Sequence, residues 1–114
     1  FVEDGHTECV SIELDQKPSL DEVARVLANF TSLPQELKLP FAPARPILVT
    51  TDRDRPQPRF DRDAGNGMSA VVGRLRECPV FDIRFVVLSH NTIRGAAGAA
   101  ILNAELMKVC GYLD

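Results

Sequence analysis

The chain of 114 residues with 45% apolar content is long enough for one domain with a modest core, because a chain of this size buries about two-thirds of its unfolded surface. Its net charge of −3 comes from 16 acidic and 13 basic residues that are interspersed, which excludes a nucleic-acid-binding stripe and a polybasic membrane patch. No apolar run approaches the roughly 20 residues of a membrane span, so we expect neither nucleic acid nor a membrane as a partner.

The first half of the chain predicts one strand, one helix and a long irregular region. Alternating apolar and polar residues favour a strand over 7–14. Ser19 and Glu22 have the spacing of a capping box, and the apolar residues that follow recur at helical intervals, which predicts a helix over 20–30. Most of the prolines lie between 34 and 58, so this stretch should be mainly loop with a short strand at 47–50.

The second half of the chain predicts two strands and a helix. The strands, over 68–76 and 82–88, should pair as antiparallel neighbours. An alanine-rich helix over 96–109 should end before Gly111, and the small residues of its first turns predict close packing. The fold class that follows is α+β, a mixed and largely antiparallel sheet with helices on one face, built as a single domain over 1–114.

The three cysteines, Cys9, Cys78 and Cys110, have the spacing of neither a zinc site nor a disulfide framework. We expect them to be small buried apolar side chains in a reducing compartment, which indicates a cytoplasmic protein.

The first candidate for chemistry is His6, which lies between Asp4 and Glu8. Period-two geometry places all three on one side of an extended segment. His6 is then an acid/base group, an exposed histidine without a role, or one ligand of a metal site. Because no H-x-H or H-E-x-x-H pairing supports a metal, no metal site is expected. Cys9 faces away from His6 unless a bulge intervenes, which argues against Cys9 as a nucleophile.

The second candidate is the segment S-H-N-T-I-R-G-A-A-G at 89–98, a polar turn before the last helix. Backbone amides at a helix start can receive an anion or a carboxamide, and Gly95 and Gly98 would let a cofactor come close. Alternatively, Asn91 or Thr92 caps the helix and the glycines serve helix packing. The segment is not a G-x-G-x-x-G fingerprint.

Several motifs together resemble the C-terminal part of aspartate-semialdehyde dehydrogenase of the archaeal and fungal type. They are G-H-T-E at 5–8, L-P-Q-E-L at 33–37, R-F-D-R-D-A-G-N-G-M at 59–68, V-G-R at 72–74 and the segment at 89–98. The resemblance implies part of a C-terminal domain of the glyceraldehyde-3-phosphate-dehydrogenase-like fold, which serves dimerisation and catalysis. The N-terminal nucleotide-binding domain of that family is absent from 1–114.

The family resemblance also implies an activity and roles for three residues. The reaction is the NADP-dependent formation of aspartate 4-semialdehyde from aspartyl 4-phosphate, through a cysteine thioester, on the route to lysine, methionine, threonine and isoleucine. His6 matches the acid/base histidine, Asn91 the polar residue at the nicotinamide, and Gly95 the glycine that opens the last helix. The resemblance further implies a homodimer or homotetramer.

None of the three cysteines has the context of the family's nucleophile, so the isolated chain is predicted to be inactive. Two alternatives are that the isolated chain acts only as a dimerisation module, or that it is a small metal-binding domain using Asp4, His6 and Glu8.

Overall fold

The computed structural model describes residues 2–113 and contains one four-stranded sheet with the strand order β1-β4-β3-β2. The strands are β1 (His6–Ile12), β2 (Ile47–Val49), β3 (Ala70–Glu77) and β4 (Ile83–Ser89). β4 pairs antiparallel with both β1 and β3, and β2 pairs parallel with β3. The sheet is therefore mixed and largely antiparallel, and the predicted pairing of the two later strands is confirmed.

The helices are α1 (Leu20–Ala28), α2 (Leu33–Glu36), α3 (Pro58–Asp61) and α4 (Gly98–Val109). The Oγ atom of Ser19 accepts a hydrogen bond of 3.2 Å from the backbone N–H of Glu22, so the predicted N-cap of α1 is confirmed. A π-helical segment, Ile93–Ala97, runs directly into α4. Among residues 2–113, no helix has the length and apolar content needed to cross a membrane.

The proline-rich middle of the chain contains two single-turn helices that the sequence did not predict. Both α2 and α3 carry a proline in their first turn. Proline is tolerated there because a first-turn N–H has no partner within the helix. Prolines that predict loop can therefore also begin short helices.

Most of the core lies on the two inner strands, β3 and β4. The buried apolar side chains are Leu39, Met68, Val71, Val72, Ile83, Val86 and Leu88. On the edge strand β1, by contrast, Val10 and Ile12 are only half-buried.

The prediction that the cysteines are buried is wrong. Cys9 and Cys110 are exposed, and Cys78 is half-buried. Cys9 lies on the edge strand, where most side chains stay in contact with solvent. Cys110 follows the last turn of α4, a helix in which Gly98 is the one buried residue.

A bulge in β3 brings a loop close to the sheet. The pairing of β3 with β4 shifts between Gly73 and Arg76, and Arg74 has a φ of 54°. At Gly73, a Cβ atom would lie 2.5 Å from the carbonyl oxygen of Arg55 and 2.7 Å from Cγ2 of Thr50. Glycine is needed there because the backbone of the neighbouring loop leaves no room for a side chain.

The Gly73→Ala variant should lower the free energy of unfolding by about 1 to 3 kcal/mol, because the added methyl forces the loop off β3. Chemical denaturation of the protein measures the change. Gly95→Ala is the matched control, since the nearest atom to its Cβ position is 3.8 Å away. Equal stabilities of the two variants would contradict the close approach at Gly73.

Candidate active site

The antiparallel pairing of β1 with β4 brings the two candidate segments to the same end of the sheet. His6 lies opposite Ser89 in the register. Just beyond this pair, the backbone N–H of Gly5 donates a hydrogen bond of 2.9 Å to Oδ1 of Asn91. Residues from opposite ends of the chain thus form one site, which the spacing of the motifs did not reveal.

His6 presents an accessible imidazole at this end of β1. Its side chain is 68% exposed, and Nε2 lies 3.3 Å from Oε1 of Glu8. The pairing of β1 with β4 runs without a shift from His6 to Ile12. Because no bulge interrupts the strand, Cys9 lies on the face opposite His6, and the interpretation of Cys9 as a partner nucleophile fails.

The metal-binding alternative is not supported. Within residues 2–113, no group of three or more histidine, cysteine, aspartate or glutamate side chains is arranged to hold a metal ion. Within the same residues, His6 and Glu8 of the proposed trio form an ion pair.

The turn before His6 packs against α3. Gly5 has a φ of 107°, which favours glycine, and its Cβ position would lie 3.1 Å from Cβ of Pro58 and 3.5 Å from Cβ of Arg62. α3 therefore supports the backbone that carries His6.

An ion pair between the half-buried Arg55 and the buried Asp61 holds α3 in place. Oδ2 of Asp61 accepts hydrogen bonds of 2.7 Å from Nε of Arg55 and from the backbone N–H of Gln57, and Oδ1 accepts from Nη2 of Arg55. Asp61 is 7% exposed. The hydrogen bond from Arg55 lowers the pKa of Asp61 below its ordinary value of 3.8, burial opposes this effect, and the Gln57 N–H adds to it.

His90 is a structural residue. It is 6% exposed, and Nδ1 accepts a hydrogen bond of 3.3 Å from the backbone N–H of Ile93. Because Nδ1 is the acceptor, the neutral ring carries its proton on Nε2, which lies 3.8 Å from Oδ1 of Asp63. His90 thereby caps the start of the π-helical segment, for which Asn91 and Thr92 were the alternative candidates from the sequence. The sequence signal for this structural role was the position of a histidine directly between a buried strand and the start of a helix.

The two glycines of the segment have different environments. A Cβ atom at Gly98 would lie 2.4 Å from Sδ of Met68 and 2.9 Å from the carbonyl oxygen of Ile93, so Gly98 serves packing. Gly95 is exposed, and its Cβ position is 3.8 Å from the carbonyl oxygen of His90. Nothing among residues 2–113 requires a glycine at position 95.

The family of the chain follows from comparison with known proteins. A model of the semialdehyde dehydrogenase dimerisation domain matches residues 2–94, and the chain belongs to this family. It is 53% identical over 108 residues to aspartate-semialdehyde dehydrogenase of Methanothermobacter thermautotrophicus, covering 93% of this chain and 31% of the relative. It is 49% identical over 112 residues to malonyl CoA reductase (NADP) of Metallosphaera sedula, covering 96% of this chain and 31% of the relative.

The fold comparison gives the same family. The crystal structure of aspartate semialdehyde dehydrogenase with NADP from Candida albicans matches with a TM-score of 0.86 and 44% identity, over 96% of this chain and 31% of that chain. The family resemblance and the fold class predicted from the sequence are confirmed. The chain spans about a third of the length of these relatives.

The Asp61→Asn variant tests the ion pair that supports the site. It should lower the free energy of unfolding by about 1 to 3 kcal/mol at neutral pH, because a buried carboxylate loses charge-assisted hydrogen bonds. The pKa of Asp61 is lower in the folded state than its ordinary 3.8. Its contribution is therefore complete above that value and is lost as the pH falls through the folded-state pKa.

Urea denaturation of wild type and Asp61→Asn between pH 2 and pH 7 measures this dependence, and the two stabilities should converge in acid. The exposed Asp15 supplies the control variant Asp15→Asn, which should follow wild type throughout. A difference between wild type and Asp61→Asn that grows on acidification would contradict the assignment.

Proposed function

We propose that the chain is the C-terminal dimerisation and catalytic part of an oxidoreductase that reduces aspartyl 4-phosphate to aspartate 4-semialdehyde and releases phosphate. Its nucleotide-binding domain lies outside residues 1–114. The observation that carries the proposal is the meeting of the exposed His6 with the 89–98 segment at one end of the sheet. The names of the relatives support it. The activity belongs to lysine, methionine, threonine and isoleucine biosynthesis in the cytoplasm.

In this proposal His6 is the proton carrier. Its imidazole is accessible from solvent, and its Nε2 lies 3.3 Å from Oε1 of Glu8. His6 accepts the proton of a cysteine thiol that the rest of the protein supplies. The sulfur then forms a thioester with the substrate carbonyl as phosphate leaves, and the protonated His6 returns the proton to the sulfur when the aldehyde is released.

NADP is the cofactor in this proposal, and the residues present fit it. The bound dinucleotide supplies the hydride that reduces the thioester. Oδ1 of Asn91 is occupied by the Gly5 N–H, while its amide nitrogen makes no hydrogen bond within residues 2–113 and can donate to the carboxamide. The open surface at Gly95 leaves room for a ligand to approach the backbone.

A second candidate function comes from the malonyl CoA reductase relative, at 49% identity. The substrate is then a coenzyme A thioester in place of an acyl phosphate. Both reactions need a thiol and a proton carrier, so His6 keeps the same role.

Assays of the full-length protein with each substrate separate the two candidates. With aspartate semialdehyde, NADP and phosphate, reduction of NADP supports the first candidate. Oxidation of NADPH with malonyl-CoA alone supports the second. The 114-residue chain without the rest of the protein should show neither activity.

In the full-length protein, His6→Ala should lower kcat by about a hundredfold or more, because the proton carrier is lost. The KM for the cofactor should change by less than about threefold. Cys9→Ser is the matched control on the opposite face of β1, and its kcat should equal that of wild type. Equal losses in kcat and in cofactor binding would instead give His6 a structural role.

The same domain should associate with a second copy. The apolar side chains of Ile101, Met107 and Val109 on α4 are exposed in the single chain, and apolar surface of this kind is typically covered by a partner or another domain. Light scattering of the full-length protein at micromolar concentration should give the mass of a homodimer or homotetramer. A strictly monomeric mass would contradict the proposal.

A further inference from the structure

We propose that the side-chain oxygen of Asn91 positions His6 for proton transfer by holding the backbone N–H of Gly5. The same side chain would offer its amide nitrogen to the cofactor and thereby couple the cofactor site to the acid/base group. The inference deepens the proposed function and rests on it.

The first support is the place of the hydrogen bond in the fold. The regular pairing of β1 with β4 reaches its last pair at His6 and Ser89. The 2.9 Å bond from Gly5 to Asn91 continues the contact between the two chain segments past this end of the ladder. It therefore determines how the backbone enters β1 at the residue before His6.

The second support is that His6 depends on its backbone for its position. The side chain of His6 is 68% exposed, and its ion-pair partner, Glu8, has a side chain that is 60% exposed. The direction of a largely exposed imidazole depends strongly on the backbone conformation of its own residue and of the residue before it. That preceding residue, Gly5, has a φ of 107° and lies between Pro58 on one side and Asn91 on the other.

The third support is that hydrogen bonds hold the backbone on both sides of Asn91. On its N-terminal side, Ser89 ends β4. The buried His90, which precedes Asn91, accepts hydrogen bonds from two residues that follow it: Nδ1 accepts from the N–H of Ile93, and the carbonyl oxygen accepts from the N–H of Gly95 at 3.0 Å. A polar group fixed in this way can transmit a defined position to a flexible partner.

The orientation of the Asn91 amide follows from its partner. A backbone N–H is a donor, so the atom of Asn91 that faces Gly5 is the oxygen. The NH₂ group is then directed away from Gly5 and is left for a ligand. The oxygen of Asn91 binds Gly5 and its NH₂ group is available to a ligand, so mutations can separate the two roles.

Two variants of the full-length protein separate them. Asn91→Ala removes both the acceptor and the donor, whereas Asn91→Asp keeps an oxygen for the Gly5 N–H and removes the donor. Amide hydrogen exchange of residues 2–8 reports the hydrogen bond without substrate or cofactor. Titration with NADP reports cofactor binding, and kcat is measured at saturating cofactor.

Asn91→Ala should raise the exchange rate of the Gly5 amide about tenfold and lower kcat about tenfold or more even at saturating NADP. Asn91→Asp should keep the exchange protection while NADP binding weakens about tenfold or more, and at saturating NADP its kcat should fall less than that of Asn91→Ala. Asn103→Ala, an exposed asparagine on α4, is the control and should leave exchange of residues 2–8 unchanged.

Two results would overturn the inference. One is unchanged exchange at Gly5 in Asn91→Ala. The other is a loss of kcat in Asn91→Ala that saturating cofactor fully restores, which makes Asn91 a cofactor ligand alone. If wild-type protein turns over neither substrate, the proposed function fails, while the exchange data still decide whether Asn91 holds Gly5.

Discussion

The antiparallel ladder between β1 and β4 is the constraint on which the site depends. Beyond each end of the ladder, a side-chain oxygen accepts a hydrogen bond from the backbone. At one end Asn91 holds the N–H of Gly5, and at the other Oδ2 of Asp82 accepts from the N–H of Leu14 at 2.8 Å. A shift of one residue would turn every β1 side chain to the opposite face. His6 and Glu8 would then move together to the other face of the sheet, so the register decides which face carries the candidate proton carrier.

The elements on both sides of this ladder support the short turn at Gly5, directly before His6. The Arg55 and Asp61 pair fixes α3, and α3 packs against Gly5. The buried His90 fixes the start of the π-helical segment, which fixes Asn91. Two structural elements, one on each side, therefore converge on the residue before His6. His6 itself stays exposed, as the proposed role of proton carrier requires.

The sequence predicted much of the fold because its signals were local. The Ser19 cap, the helical spacing that follows it and the alternation along each strand act within a few residues, and all of them appear in the structure. The cysteine prediction failed for a different reason. Cys9 lies in a strand-forming segment, but the strand is at the edge of the sheet and most of its side chains are exposed. Burial depends on which strand lies at the edge, and no local pattern of this chain gives the strand order.

By itself, the sequence determined the main strands and the longer helices, the family resemblance and the identity of His6 as the candidate proton carrier, because these follow from residue type and short-range spacing. Only the tertiary structure decided what holds His6. The hydrogen bond between Gly5 and Asn91 joins residues 86 positions apart, and the cap supplied by His90 depends on how β4 passes into the last helix. Contacts of this kind exist only after the strands have paired, since pairing is what brings distant backbone and side-chain groups within hydrogen-bonding distance.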